Sequence, residues 1–217
     1  MATQTATQMR LSDIKLGYSG SETNALSLSP VQVIAIAGGK GGTGKTNIAV
    51  NLAQALANEG KRHLLLDADL GMANVDVLLG LQPEHTLYDV MRGKCRLEEI
   101  LLNGGENLKV IPAASGVGEL AKMGWQECAG LVRAFSDLKE PIDTLIVDTA
   151  TGISESVAVF CKAAGEIIVV VSNEPASIRD CISQLKHFYH DCGITRCRVL
   201  ASKVDTASEA NALFQNL

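Results

Sequence analysis

Short apolar runs recur along the chain from Pro30 onward, and they alternate with longer stretches in which apolar and polar residues mix. Six of these runs are five to seven residues long and are dominated by aliphatic side chains. Because they lack the strict alternation of a half-exposed strand, each is predicted to be a β-strand buried on both faces of a sheet. They cover residues 31–37, 62–67, 108–112, 143–148, 166–171 and 198–202.

The stretches between these runs show the 3.6-residue spacing of amphipathic helices. The clearest is 45–60, which ends in Gly60, a residue suited to a helix C-cap. Its apolar face is predicted to comprise Ile48, Leu52, Ala55 and Leu56. Similar patterns occupy 125–139 and 176–191. Buried strands that alternate with helices predict an α/β fold with a doubly wound, mostly parallel sheet flanked by helices.

The organisation of the chain changes sharply at residue 30. Residues 1–29 are rich in Thr, Ser, Gln and Ala and lack sustained apolar periodicity, so they are predicted to form a flexible N-terminal arm. Residues 30–217 then form one domain. The sequence stops at 210–217, within a helical pattern after the sixth strand, so we expect the domain to be truncated at its C-terminus.

Composition narrows the functional classes. The 217 residues are 47% hydrophobic and carry a net charge of −5, which gives no general basic field for nucleic acid, and no direct nucleic-acid binding is expected. Six cysteines without a CxxC pair, and no signal-peptide pattern, favour free thiols and a cytoplasmic protein. The sequence has no run of 18 apolar residues that would cross a membrane.

The sequence "GKGGTGKT" (39–46) matches the phosphate-loop pattern G-x-x-x-x-G-K-[ST] between a predicted strand and a predicted helix. Its backbone amides are expected to bind phosphate oxygens, Lys45 to reach the β- and γ-phosphates, and Thr46 to ligate Mg²⁺. This identifies a P-loop NTPase domain. The predicted nucleotide-binding residues of this segment are Gly39, Lys40, Gly41, Gly42, Thr43, Gly44, Lys45, Thr46 and Asn47.

Carboxylates follow two of the predicted strands. Asp148 ends one strand at the Walker B position, and Asp67 and Asp69 end another, on the same side of an extended chain. One Asp at a strand end is as often a helix cap or turn residue. Three of them on strands that flank a phosphate loop favour a magnesium site.

Four segments together resemble the MinD/ParA family of deviant-Walker-A ATPases: "GGKGGTGKT", "LLLDADLGMANVDVLLG", "LIVDTATG" and "VVSNEPASIRD". The resemblance implies that the early lysine, Lys40, contacts the ATP of a partner subunit, so that ATP drives formation of a homodimer. It also implies that Asp69 orients the attacking water and that Asp67 joins Thr46 and Asp148 in the magnesium shell.

Further site residues rest on the same resemblance. Gly152 is implied to offer a backbone amide near the γ-phosphate, and Asn173, Glu174 and Pro175 to approach the sugar and base. A polar turn before a helix explains the last three equally well. Where the family often has an adenine-reading Asn, this chain has Ser202 and Lys203.

Residues 70–123 are similar to the flagellar-number regulators of the FlhG/FleN type. This similarity implies control of flagellum number or placement by slow hydrolysis of ATP to ADP with Mg²⁺. It also implies a signal-recognition-type GTPase, FlhF, and a flagellar transcription activator as partners, and reversible association with the membrane surface, at the cell pole. "QTATQMR" (4–10) partly matches a GTPase-stimulating segment, and Arg10 is its candidate partner-binding residue.

Other interpretations remain open. A MinD-type division-site ATPase and a ParA-type partition ATPase share the motifs, although partition requires a basic DNA-binding face. An iron–sulfur reductase needs cysteines beside "DTATG", and a bacterial tyrosine kinase needs a tyrosine-rich tail; this sequence has neither. A non-catalytic interaction module is disfavoured for the intact protein by the presence of Thr46, Asp69 and Asp148, but it stays open for the truncated chain, whose base site and core would be incomplete.

Overall fold

The computed structural model describes residues 31–69, 74–113, 131, 135, 138 and 142–217. The predictions for the arm 1–29, for Arg10 and for most of the helix 125–139 lie outside these residues. The described strands form one seven-stranded sheet in the order β3-β4-β2-β5-β1-β6-β7. Their bounds are β1 Gln32–Ala37, β2 His63–Ala68, β3 Leu102–Gly105, β4 Leu108–Ile111, β5 Thr144–Thr149, β6 Glu166–Ser172 and β7 Arg198–Ser202.

The sheet confirms the predicted topology. Every neighbouring pair of strands is parallel except β3 and β4, which are antiparallel. All six predicted strands are present. β3 was not predicted because its sequence, Leu-Asn-Gly-Gly, contains no apolar run.

One strand prediction was wrong in its burial. β7 lies at the edge of the sheet, with Arg198 exposed and its other residues only half-buried. An edge strand has only one neighbouring strand. Leu200 packs on the α1 side of the sheet and Val199 and Ala201 pack on the opposite side, but each of these side chains is only partly buried.

The described helices are α1 Lys45–Ala57, α2 Val75–Leu79, α3 Leu87–Met91, a 3-10 helix Leu97–Ile100, α4 Glu155–Ala163, α5 Pro175–His190 and α6 Ala207–Gln215. Helices cover both faces of the sheet. Alternate residues of β1 show this, since Ile34 and Ile36 pack with α1. Ala35 and Ala37 instead pack with α4 and α5. The fold is therefore doubly wound, as predicted.

The predicted face and end of α1 need correction. Its buried apolar side chains are small ones, and the larger aliphatic residues flank them half-buried, while Ala55 is exposed. Small residues let the helix lie close to the sheet. The helix ends at Ala57 with Asn58 as its cap, and Gly60 takes its left-handed conformation (φ 83°) in the following turn. The buried apolar set is Ala49, Val50, Ala53 and Ala57.

Within the described part of the chain, none of the helices combines the length and apolarity needed to cross a bilayer. The five described cysteines are all free thiols.

Candidate functional site

The phosphate loop connects the carboxyl end of β1 to the first turn of α1. Gly42 (φ 77°) and Gly44 (φ 96°) adopt the left-handed conformation that glycine tolerates without steric cost. Helix α1 begins directly after Gly44, at Lys45. The unpaired amides and the dipole of this helix end create a site for an anion such as a phosphate group.

Three contacts hold the loop in place. The Gly152 amide donates a hydrogen bond to the Gly38 carbonyl at 3.0 Å. The Ser202 hydroxyl donates to the Thr43 carbonyl at 2.6 Å. Gly39 lies so close to α5 that an added Cβ would be 2.4 Å from the Asp180 carbonyl oxygen. The loop is therefore fixed by elements on both sides of it.

Lys45 is a buried cation, with only 7% of its surface exposed. Burial lowers its pKa from the ordinary value, and the charges of Asp148 and Asp69 act in the opposite direction. The structure thus brings together the phosphate-loop lysine and two of the three predicted carboxylates. A buried ammonium beside the loop is positioned to bind phosphate oxygens.

Asp148, at the end of β5, is 1% exposed. Burial raises its pKa to about 6, while the Thr46 hydroxyl, through a hydrogen bond, and the Lys45 charge lower it. Its Oδ1 has no hydrogen-bond partner among the described residues. An orphaned buried carboxylate oxygen next to a threonine hydroxyl suits a hard cation such as Mg²⁺.

Mg²⁺ commonly takes only one or two protein ligands and completes its shell with phosphate oxygens and water. No group of three or more His, Cys, Asp or Glu side chains in the described segments could hold a metal ion by itself. The pair of Thr46 and Asp148 fits Mg²⁺ in this respect, and the site would depend on a bound phosphate.

Asp67, the neighbour of Asp148 across the β2–β5 register, holds the backbone of the segment that follows β2. Its two carboxylate oxygens accept backbone hydrogen bonds from Asp69 (3.1 Å), Asn74 (2.9 Å) and Val75 (3.1 Å). Burial raises its pKa to about 7 despite these bonds. Asp67 therefore anchors the chain on either side of residues 70–73 and positions the half-buried Asp69.

The early lysine, Lys40, pairs with Glu174 of the same chain. This ion pair holds the pKa of Glu174 below its usual range, and the nearby charge of Lys203 acts in the same direction. Glu174 immediately precedes α5, and its neighbours Asn173 and Pro175 are exposed. The predicted nucleotide-approach residues thus lie beside the loop, on its exposed side.

Two site residues were missed in the sequence. Ser202 was noted only as a departure from the adenine-reading Asn, but its hydroxyl secures the loop. Gln184 lies on α5 and donates from Nε2 to the Gly152 carbonyl at 2.8 Å. The sequence signal that could have found Gln184 is its helical spacing, because Gln184 falls on the buried face of α5 formed by Ser177, Cys181 and Phe188.

Comparison with known proteins decides the family. A family model described as "AAA domain" matches residues 31–194. The chain is 51% identical over 191 residues to the antiactivator FleN of Pseudomonas aeruginosa, covering 88% of this chain and 68% of FleN. The chain belongs to the MinD/ParA family of ATPases.

Other MinD/ParA proteins agree with this assignment. The flagellum site-determining protein YlxH of Helicobacter pylori is 32% identical over 184 residues, covering 85% of this chain and 62% of YlxH. MinD of Pyrococcus horikoshii, solved as a complex with Mg-ADP, matches with a TM-score of 0.64 at 28% identity, covering 78% of this chain and 68% of that one. The chain thus spans about two thirds of the length of these MinD/ParA relatives.

Proposed function

We propose that this chain is the ATPase core of a flagellum-number regulator, a switch that dimerises with ATP and separates after hydrolysis to ADP. The carrying observation is the convergence of Lys45, Asp148 and Asp69 at the phosphate loop, in a chain 51% identical to an antiactivator named FleN. The name of YlxH, "flagellum site-determining protein", supports the same role.

In this proposal the loop amides and Lys45 bind the phosphates of one ATP. Lys40 leaves Glu174 and contacts the triphosphate of the second subunit, which supplies a stronger anionic partner than one carboxylate. Asp69 orients a water molecule for attack on the γ-phosphate, and the Gly152 amide contacts that phosphate. Asn173, Glu174 and Pro175 border the sugar and base.

Thr46 and Asp148 would hold Mg²⁺, and Asp67 would support the magnesium shell. The metal would neutralise charge on the phosphates. Asp67 contributes by fixing the backbone that carries Asp69. The MinD structure with Mg-ADP supports this pairing of nucleotide and metal.

The biological partners belong to the same proposal. We infer that the intact protein acts with the FlhF-type GTPase, with Arg10 as the contacting residue, and with a flagellar transcription activator. In this proposal the protein is cytoplasmic and associates reversibly with the membrane surface at the pole. The description of FleN as an antiactivator supports the transcriptional arm of this role.

The test is the mass of the protein in solution, measured by size exclusion with light scattering. We expect a monomer with Mg-ADP and a dimer with a non-hydrolysable ATP analogue. Lys40→Ala should remain monomeric, and Asp69→Ala should form a dimer that persists in ATP. A wild-type mass that never responds to nucleotide would reject the switch.

A division-site role is the second candidate, because MinD of Bacillus subtilis is 34% identical over 154 residues. Deleting the gene separates the two roles. Extra flagella with normal septa support the flagellar role, whereas misplaced septa support the division-site role.

A further inference from the structure

Gln184 is a fully buried polar residue on α5, with no exposed surface. Its side-chain amide donates a hydrogen bond of 2.8 Å to the Gly152 carbonyl, 32 residues earlier in the chain. The contact therefore connects the middle of a long helix to the loop that follows the Walker B strand.

Gly152 is held from two sides. Its N–H donates to the Gly38 carbonyl at the start of the phosphate loop, and its C=O accepts from Gln184. The residue has a φ of 89°, a left-handed conformation that a side chain would strain. The orientation of both peptide groups at Gly152 is thus set by one contact to the loop and one to α5.

The other end of the Gln184 side chain is unsatisfied. Its Oε1 is buried and has no hydrogen-bond partner among the residues that the structure describes. A buried acceptor without a partner costs free energy, which an apolar side chain of similar size would avoid. What glutamine supplies at this position is therefore the hydrogen bond to Gly152, and the cost is the desolvation of its unpaired Oε1.

We propose that Gln184 is a positioning residue that sets the Gly152 peptide for recognition of the terminal phosphate; this rests on the proposed function of Gly152. A γ-phosphate competes with the Gly38 carbonyl for the Gly152 N–H. Because Gln184 fixes the carbonyl side of Gly152, the N–H can turn toward the phosphate without displacement of the whole segment. Preorganisation of this kind strengthens binding of ATP relative to ADP.

The test compares Gln184→Met, which keeps size and loses the donor, with Ser183→Ala on the same helix. Ser183 is exposed, and its hydroxyl makes a local 3.0 Å bond to the Arg179 carbonyl, so its loss controls for a missing helix hydrogen bond. Affinities for ADP and for a non-hydrolysable ATP analogue are measured with Mg²⁺. We expect Gln184→Met to reduce the preference for the analogue about tenfold, with ADP affinity and the Ser183→Ala preference unchanged.

A second variant tests the donor itself. In Gln184→Glu the buried side chain can donate only when protonated, so its preference for the analogue, relative to wild type, should recover as pH falls from about 8 to about 6. If Gln184 only supports the fold, the preference of Gln184→Glu for the analogue over ADP does not recover at low pH.

The outcomes separate the two proposals. If the wild type prefers the ATP analogue and Gln184→Met prefers it equally, the proposed role of Gln184 is wrong. The proposed ATP-dependent switch is then unaffected. An equal loss of both affinities likewise rejects it, because Gln184 would then only support the fold. If the wild type shows no preference between the nucleotides, the proposed function fails first.

Discussion

The two sides of the phosphate loop are built differently. On the inner side, Lys45, Asp148 and Asp67 are buried, and burial is the largest influence on the pKa of each. On the outer side, Lys40 and Glu174 form an ion pair whose side chains are 34% and 46% exposed. The inner side concentrates charge where water cannot screen it, and the outer side keeps its charges available for exchange.

In the proposed switch, this difference would let one loop bind phosphate on its inner side and exchange the partner of Lys40 on its outer side. Buried charges are costly unless a partner satisfies them, so the inner side gains most from a phosphate and a cation. Exposed pairs contribute little to stability, so the outer side can release Lys40 readily.

The largest expected effect comes from removing the inner cation. Lys45→Met keeps the aliphatic stem and removes the charge, so we expect nucleotide affinity to fall roughly 100-fold or more. Binding of a fluorescent ADP measures this. Lys61→Ala, at an exposed lysine before β2, is the control and should bind as the wild type does. Equal affinities for wild type and Lys45→Met would place the phosphates elsewhere.

An intermediate effect concerns the buried carboxylate Asp67, whose pKa rises from 3.8 to about 7 on folding. The folded state then binds its proton more tightly, so this contribution to stability is present at low pH and is lost as pH rises through about 7. We expect the stability of the wild type relative to Asp67→Asn to fall between about pH 4 and 7, by at most ~1.4 kcal/mol per pH unit.

Urea unfolding of both proteins across this range measures the difference. The variant is needed as a reference because burial lowers the pKa of His63, whose contribution instead grows as pH rises. A difference that does not vary with pH would show that folding leaves the pKa of Asp67 at its ordinary value.

The smallest effect is expected on the outer side. Glu174→Gln breaks the pair with Lys40, and the melting temperature should change by less than about 2 °C. Glu166→Gln, which breaks the exposed pair with Arg198, is the matched control. A loss for Glu174→Gln well beyond the control would mean that the outer side also supports the fold.

The sequence predicted the inner side better than the outer side. Motif spacing and strand ends located Lys45 and Asp148 because a phosphate site needs these groups at fixed places. It could not locate the Lys40–Glu174 pair, which joins residues 134 positions apart. Gln184 and Ser202 were missed for the same reason, since each acts through a backbone atom of a distant loop.

The fold, like the site, was predicted from the sequence in some parts and not in others. Strands with continuous apolar runs were found because both of their faces need burial, whereas the existence of β3 and the partial burial of β7 depend on position in the sheet. On α1, the choice of alanines over leucines for the closest contact followed from helix-to-sheet distance, which periodicity does not specify.

The contact between Gly39 and α5 has a consequence for building hybrid proteins from MinD/ParA relatives. An added methyl group at this glycine would overlap the Asp180 carbonyl, so the spacing between loop and helix leaves no tolerance at that point. If α5 were exchanged without the phosphate loop of the same parent protein, the new helix would have a backbone path that fits the loop of its own parent and not the loop of the recipient. The first glycine of the motif and a helix well over 100 residues later therefore behave as a single module, and crossover points should keep them together.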